Sequence, residues 1–166
     1  MSDDEDDEKV SDDAIREAFA AIKGGQEIAL RDVLTLAAAS FERERPFAPV
    51  AVTDAVAAKW ECDADFANGG ADQFAWNHGV DATRAIAAAF RKVGAIENAD
   101  LLDRLARDLE AYQAEVKDPA DDAVRRFLEY RKRVGGPFFG LPEPGDELAE
   151  ALVEYAHDHP DEFSDQ

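Results

Sequence analysis

Asn98-Ala99-Asp100-Leu101-Leu102-Asp103-Arg104-Leu105-Ala106-Arg107-Asp108-Leu109 carries the pattern that decides the fold class. Leu101, Leu102, Leu105 and Leu109 fall on one side of a helix, with charged residues filling the rest. Asn98 is placed to cap that helix. Similar helical spacing recurs in both directions. Upstream, Asp81 caps a helix with Ile86, Phe90 and Val93 on its inner face, and Gly94 ends it. Downstream, Pro119 opens a helix through Val124, Phe127, Leu128 and Tyr130, closed by Gly135-Gly136-Pro137.

Towards the N-terminus, Ser11 caps a helix whose Ile15, Phe19 and Ile22 share a face, and Gly24-Gly25 stops it. A second helix covers 26–44 and breaks at Pro46 and Pro49. Thr53 or Asp54 starts a third, through Val56 and Trp60 towards Phe66. Asn68-Gly69-Gly70 ends it, and a short helix follows through Gln73, Phe74 and Trp76. After a Pro- and Gly-rich loop at 137–145, the last helix runs from about Asp146 to Asp158. No stretch alternates with the period of a strand. The sequence predicts an all-α, single compact multi-helix domain of about seven to eight helices over residues 11–166. Residues 1–10, almost wholly acidic, are expected to be a disordered tail.

The formal net charge is −20, and its location matters more than its size. Residues 1–13 hold eight acids and one base, and residues 141–166 hold nine acids and neither Lys nor Arg. The centre is nearly balanced, with 21 acids against 17 bases. A salt-adapted protein would carry acid over its whole surface instead. Direct binding to nucleic acid or to an anionic membrane is disfavoured, because phosphate contacts need clustered Lys and Arg. The one basic run, Arg125-Arg126 with Arg131-Lys132-Arg133, is interleaved with Phe127, Leu128 and Tyr130, as on the solvated side of an amphipathic helix. Cys62 is the sole cysteine, which suits a reducing cytoplasm and a structural thiol. Apolar runs are too short for a membrane span, and the acidic start is unlike a signal peptide. A cytoplasmic protein is expected.

No catalytic pattern emerges. Asp63-Ala64-Asp65 opens like a calcium loop, but Ala67, Asn68 and Phe74 stand where the loop needs a ligand, Gly and Glu. His157 and His159 lie two residues apart and point to different faces of a helix, which is poor metal geometry. His78 sits beside Gly79, where a helix is expected to end, suited to meeting backbone carbonyls. Neither a nucleophile elbow nor a phosphate loop occurs. The expectation is a non-enzymatic protein without catalytic residues, cofactor or metal.

On the last helix Leu148, Leu152 and Tyr155 share the buried side. Glu147, Glu150, Glu154 and Asp158 line another side, with neighbours spaced roughly 4.5–6 Å along the axis. Phosphates of one DNA strand rise about 3.4 Å each and lie farther apart through space. The stripe is of the order needed to imitate a phosphate row, and equally suits a solvated face.

Residues 68–77 read Asn-Gly-Gly-Ala-Asp-Gln-Phe-Ala-Trp-Asn, followed by Gly79 and, after a helix, by Val93-Gly94-Ala95. This resembles the bacterial DNA-mimic-like protein family, whose signature is Asn-Gly-Gly-Phe-x-Gln-Tyr-Phe-x-Asn and then Ile-Gly-Ala. Tyr155-Ala156-His157-Asp158-His159-Pro160-Asp161-Glu162-Phe163 looks like the same family's closing helix. The likeness covers roughly 55–163. Asn68, Gly69, Gly70, Gln73 and Asn77 fall on the motif, and Gly94 on its second part. Phe74 replaces Tyr, and Ala71 and Ala75 replace aromatic residues. These motif residues suit a structural role, through glycine backbone freedom and amide bonds to helix ends.

The resemblance implies an all-α domain without known catalysis that binds a basic DNA-binding protein, such as a transcription factor, through an acidic surface. The family's acids carry no fixed motif. Charge placement nominates Glu147, Glu150, Glu154 and Asp158 for partner binding, with Asp118, Asp121 and Asp122 as a second cluster. A homodimer is compatible with the sequence. An alternative stays open: an immunity- or assembly-type module with an apolar contact near Phe138 and Phe139, whose acidity serves only solubility or salt adaptation.

Overall fold

In the computed structural model of the protein, the residues described are 9–25, 27–115, 126–127, 129–130, 133 and 144–165. The acidic tail at 1–8, Asp118, Asp121, Asp122, Phe138 and Phe139 lie outside them. All regular structure among the described residues is helical. The helices are α1 (Asp12–Lys23), α2 (Leu30–Glu42), α3 (Val50–Lys92), α4 (Ile96–Glu115) and α5 (Pro144–Asp158), with a 3-10 turn at Pro160–Glu162. Arg126, Phe127, Glu129, Tyr130 and Arg133 are helical as well.

The helix starts follow local chemistry, in places different from the sequence expectation. Ser11 Oγ accepts the N–H of Ala14 at 3.2 Å, as a cap should. α2 spans less than the expected 26–44 because Asp32 reaches back to the Ala29 N–H, which fixes the start at Leu30. α5 begins at Pro144, earlier than expected, where proline's missing N–H costs nothing.

α3 is the main departure. The sequence predicts separate helices on either side of Asn68-Gly69-Gly70, whereas one helical segment of 43 residues spans them. It is not a straight rod. His78 Nε2 lies 2.7 Å from Asp65 Oδ2, although thirteen residues of straight helix would separate them by about 20 Å. Lys92 Nζ similarly lies 3.6 Å from Asp54 Oδ2. As numbers rise from 54 to 65 on one arm, their partners fall from 92 to 78 on the other. α3 is therefore a helical hairpin, and its bend falls between Asp65 and Asn77, around the predicted break. A second irregularity lies at Gly79, whose φ of +83° leaves the helical region.

The second arm ends in a Schellman turn. Ala95 N–H donates to Phe90 O and Gly94 N–H to Arg91 O, with Gly94 at φ +94°. Because only glycine adopts that φ without strain, Gly94 sets the corner from which α4 departs.

Two units are distinguished within the chain. One comprises the residues up to Thr53 together with those from Leu152 onwards. In it α1 packs on α2, and Ile15, Phe19, Ile22, Val33, Leu36 and Phe163 are buried. Ser40 Oγ accepts from the Phe47 and Ala48 N–H groups at 2.7 and 3.0 Å, so one hydroxyl holds the turn after α2. Ser164 N–H donates to Phe47 O, which fixes the C-terminal stretch there. The other unit runs from Asp54 to Ala151. The Leu101, Leu102, Leu105 and Leu109 stripe of α4 is buried as the sequence predicts, alongside Phe74, Phe90 and Phe127. Trp76, Tyr112, Phe127 and Tyr130 form a chain of ring contacts with centroids 5.4–6.1 Å apart.

Candidate functional site

α5 positions its side chains as its apolar spacing requires. Leu148 and Leu152 are fully buried, and Tyr155 is half-buried with its hydroxyl donating to Glu162 at 2.9 Å. The four carboxylates expected to form one stripe do not share one environment. Glu150, Glu154 and Asp158 are exposed. Glu150 and Glu154 have no ion-pair partner among the described residues. Asp158 lies 3.8 Å from its neighbour His157.

Glu147 is different. Its Oε1 accepts the N–H of Glu97 at 2.8 Å and its Oε2 that of Asn98 at 2.7 Å. These are the second and third residues of α4, whose first turn leaves N–H groups without intrahelical partners. Ala95 at the cap position has no side-chain oxygen to offer. Glu147 therefore caps α4 from about fifty residues away. Asn98, which the sequence assigns to that role, lies inside the first turn and is buried. Its amide atoms have no hydrogen-bond partner among the described residues.

The motif residues sit along the α3 hairpin. Asn68, Gly69 and Gly70 have helical backbone, and Gln73 is half-buried. Asn77 Nδ2 donates to Asp65 Oδ1 at 3.2 Å, so this amide meets a carboxylate across the hairpin and not a helix end. His78 binds the same carboxylate and stacks on Phe74 with centroids 4.4 Å apart, in place of the backbone carbonyls expected for it. His159 faces the Tyr155 carbonyl at 3.0 Å. Among the described residues no group of three or more His, Cys, Asp or Glu is placed to hold a metal ion. No helix among them is long and apolar enough to cross a membrane.

The acids of α4 are mostly engaged. One Arg91 nitrogen, Nη2, bridges Asp100 and Asp103, 2.8 Å from each, and Arg84 binds Glu110 at 2.7 Å. These pairs bind α4 to the second arm of α3 and hold the guanidinium pKa values of Arg84 and Arg91 above the ordinary range. A groove there is lined by Arg84, Asp100, Asp103, Arg104 and Arg107. It was missed in the sequence, although Asp100, Asp103, Arg104 and Arg107 follow the i, i+3, i+4, i+7 spacing of one face.

The model of the family described as DMP19-like protein matches residues 52–165, more than half of the chain. That range agrees with the 55–163 over which the sequence resembles DNA-mimic-like proteins. No curated protein and no solved structure matches the chain.

Proposed function

The chain belongs to the DMP19-like protein family, and from that premise we propose that it is a non-enzymatic acidic interaction protein. It occupies the basic surface of a DNA-binding protein, such as a transcription factor, by presenting carboxylates where that partner expects phosphates. The observation that carries the reading is the contrast between α4 and α5. On α4, Asp100, Asp103 and Glu110 are ion-paired with Arg84 and Arg91, whereas Glu150 and Glu154 on α5 are exposed and unpaired among the described residues. With Asp158 they form a row with steps of about 6 Å along the axis. Unpaired carboxylates in a row set up a field that steers a cationic partner. Glu147 is left out of this row, because its carboxylate caps α4.

The test is capture from a native lysate at low salt, with elution by rising salt and competition by duplex DNA. The expected result is one basic DNA-binding protein, displaced by the duplex. Changing Glu150, Glu154 and Asp158 to Gln, Gln and Asn should weaken its binding roughly tenfold, since each exposed charge contributes about 0.2–1 kcal/mol. Glu147 is kept, so that fold and binding are not confounded. Capture that ignores both the duplex and the triple change would overturn the reading.

A further inference from the structure

Arg104 and Arg107 stand out in a chain so rich in acid. Both are exposed, they lie one turn apart on α4, and neither has an ion-pair partner among the described residues. The carboxylates beside them are already engaged. Asp100 and Asp103 share Arg91, and Glu110 holds Arg84. The groove lined by these residues thus holds two guanidinium groups outside its ion pairs, with Arg84 facing them from α3, and since Arg91 serves two carboxylates the cluster as a whole carries one net positive charge.

We propose that this groove is a binding site for a phosphate dianion, held by Arg104 and Arg107 with Arg84 as the third ligand. Three arguments favour that class. Arg104 and Arg107 offer two guanidinium groups that no ion pair among the described residues takes up, enough donors to close around a phosphate, whereas a carboxylate would occupy only one of them. Guanidinium forks present paired N–H donors that fit the oxygen edges of a phosphate, which an ammonium cannot copy. Arg84 is fixed by Glu110, so one ligand is positioned before the anion arrives. The protein's net negative charge opposes approach over long range, but screening limits that field to about 8 Å at physiological salt. The site is separate from the α5 row and does not depend on the DNA-mimic reading.

The experiment is an NMR titration of the full-length isotopically labelled chain with inorganic phosphate, slightly above neutral pH, with chloride holding ionic strength constant. Saturable shifts confined to the neighbourhood of Arg84, Arg104 and Arg107 are expected. Substituting Arg104→Gln together with Arg107→Gln should weaken the affinity by about tenfold or more, as loss of charge-assisted hydrogen bonds implies. Helical circular dichroism should be unchanged, because both side chains are exposed. The Arg104→Lys, Arg107→Lys pair keeps the charge and removes the forks, and it too should bind more weakly. Shifts no larger than ionic strength alone produces, or full affinity in either double variant, would overturn the proposal.

Discussion

Cys62 lies fully buried on the first arm of α3, and burial, reinforced by Asp63, Glu61 and Asp65, pushes its thiol up to about 12. Thiol chemistry requires the thiolate, so the native protein should resist alkylation at mildly alkaline pH and react only once denaturant opens it. The pH dependence has a defined sign. Above the ordinary thiol range the unfolded chain ionises while the folded chain stays protonated. Stability is then fully present below pH 9 and declines towards about 12, by at most roughly 1.4 kcal/mol per pH unit from this group. Labelling kinetics with and without urea provide the check, and fast labelling of folded protein would contradict the burial. That Cys62 is a structural thiol was expected from its being the sole cysteine. The difference between Glu147 and Glu150 was not, because both sit on the polar side of one helix. Only the distant Glu97 and Asn98 N–H groups distinguish them.

Among elements, α4 shows most directly what the fold asks of a remote side chain. Its hydrophobic stripe makes it a helix, but Ala95, just before its first residue Ile96, cannot cap it, and Glu147 supplies the two acceptors. Glu147→Ala should destabilise the protein by about 1–2 kcal/mol, the cost of a lost helix cap. Glu147→Gln keeps one acceptor without charge, so it should cost less. Urea unfolding followed by circular dichroism measures both, and an unchanged midpoint in the alanine variant would show that the contact contributes nothing. The helix assignments were legible wherever apolar spacing or a cap lies within one segment, as at Ser11 and along Leu101 to Leu109. The turn of α3 was legible too, since Asn68-Gly69-Gly70 marks the region where the hairpin bends. That the bend falls inside one helical segment, Val50–Lys92, is something no local residue signal distinguishes from a break between two helices. Equally hidden was the groove of Arg84, Arg104 and Arg107, because whether an arginine is left outside an ion pair depends on which carboxylates Arg91 already binds.

For the whole molecule, the net charge of −20 invites two readings that respond oppositely to salt. If the acidity serves adaptation to brine, removing salt should unfold the protein through self-repulsion. The nearly balanced centre argues against that, because several of its described acids are tied locally: Lys59 to Asp63, Lys92 to Asp54, Arg84 to Glu110 and Arg91 to Asp100 and Asp103. Such exposed pairs each contribute about 0–1 kcal/mol, so neither forming nor screening them should decide whether the chain folds. Glu150 and Glu154 of α5 are exposed and have no ion-pair partner among the described residues, so a partner can reach them without disturbing the core. The fold is therefore expected to persist at about 50 mM salt, with a melting temperature that shifts by only a few degrees as salt rises to about 1 M. Binding to the partner should instead weaken steeply over that range, mainly through slower association, because the Debye length falls from above 10 Å to about 3 Å. Thermal melts and binding kinetics on the same salt series separate the two readings. Unfolding at low salt would assign the acidity to salt adaptation, whereas a salt-insensitive association rate would remove electrostatic mimicry as the basis of binding.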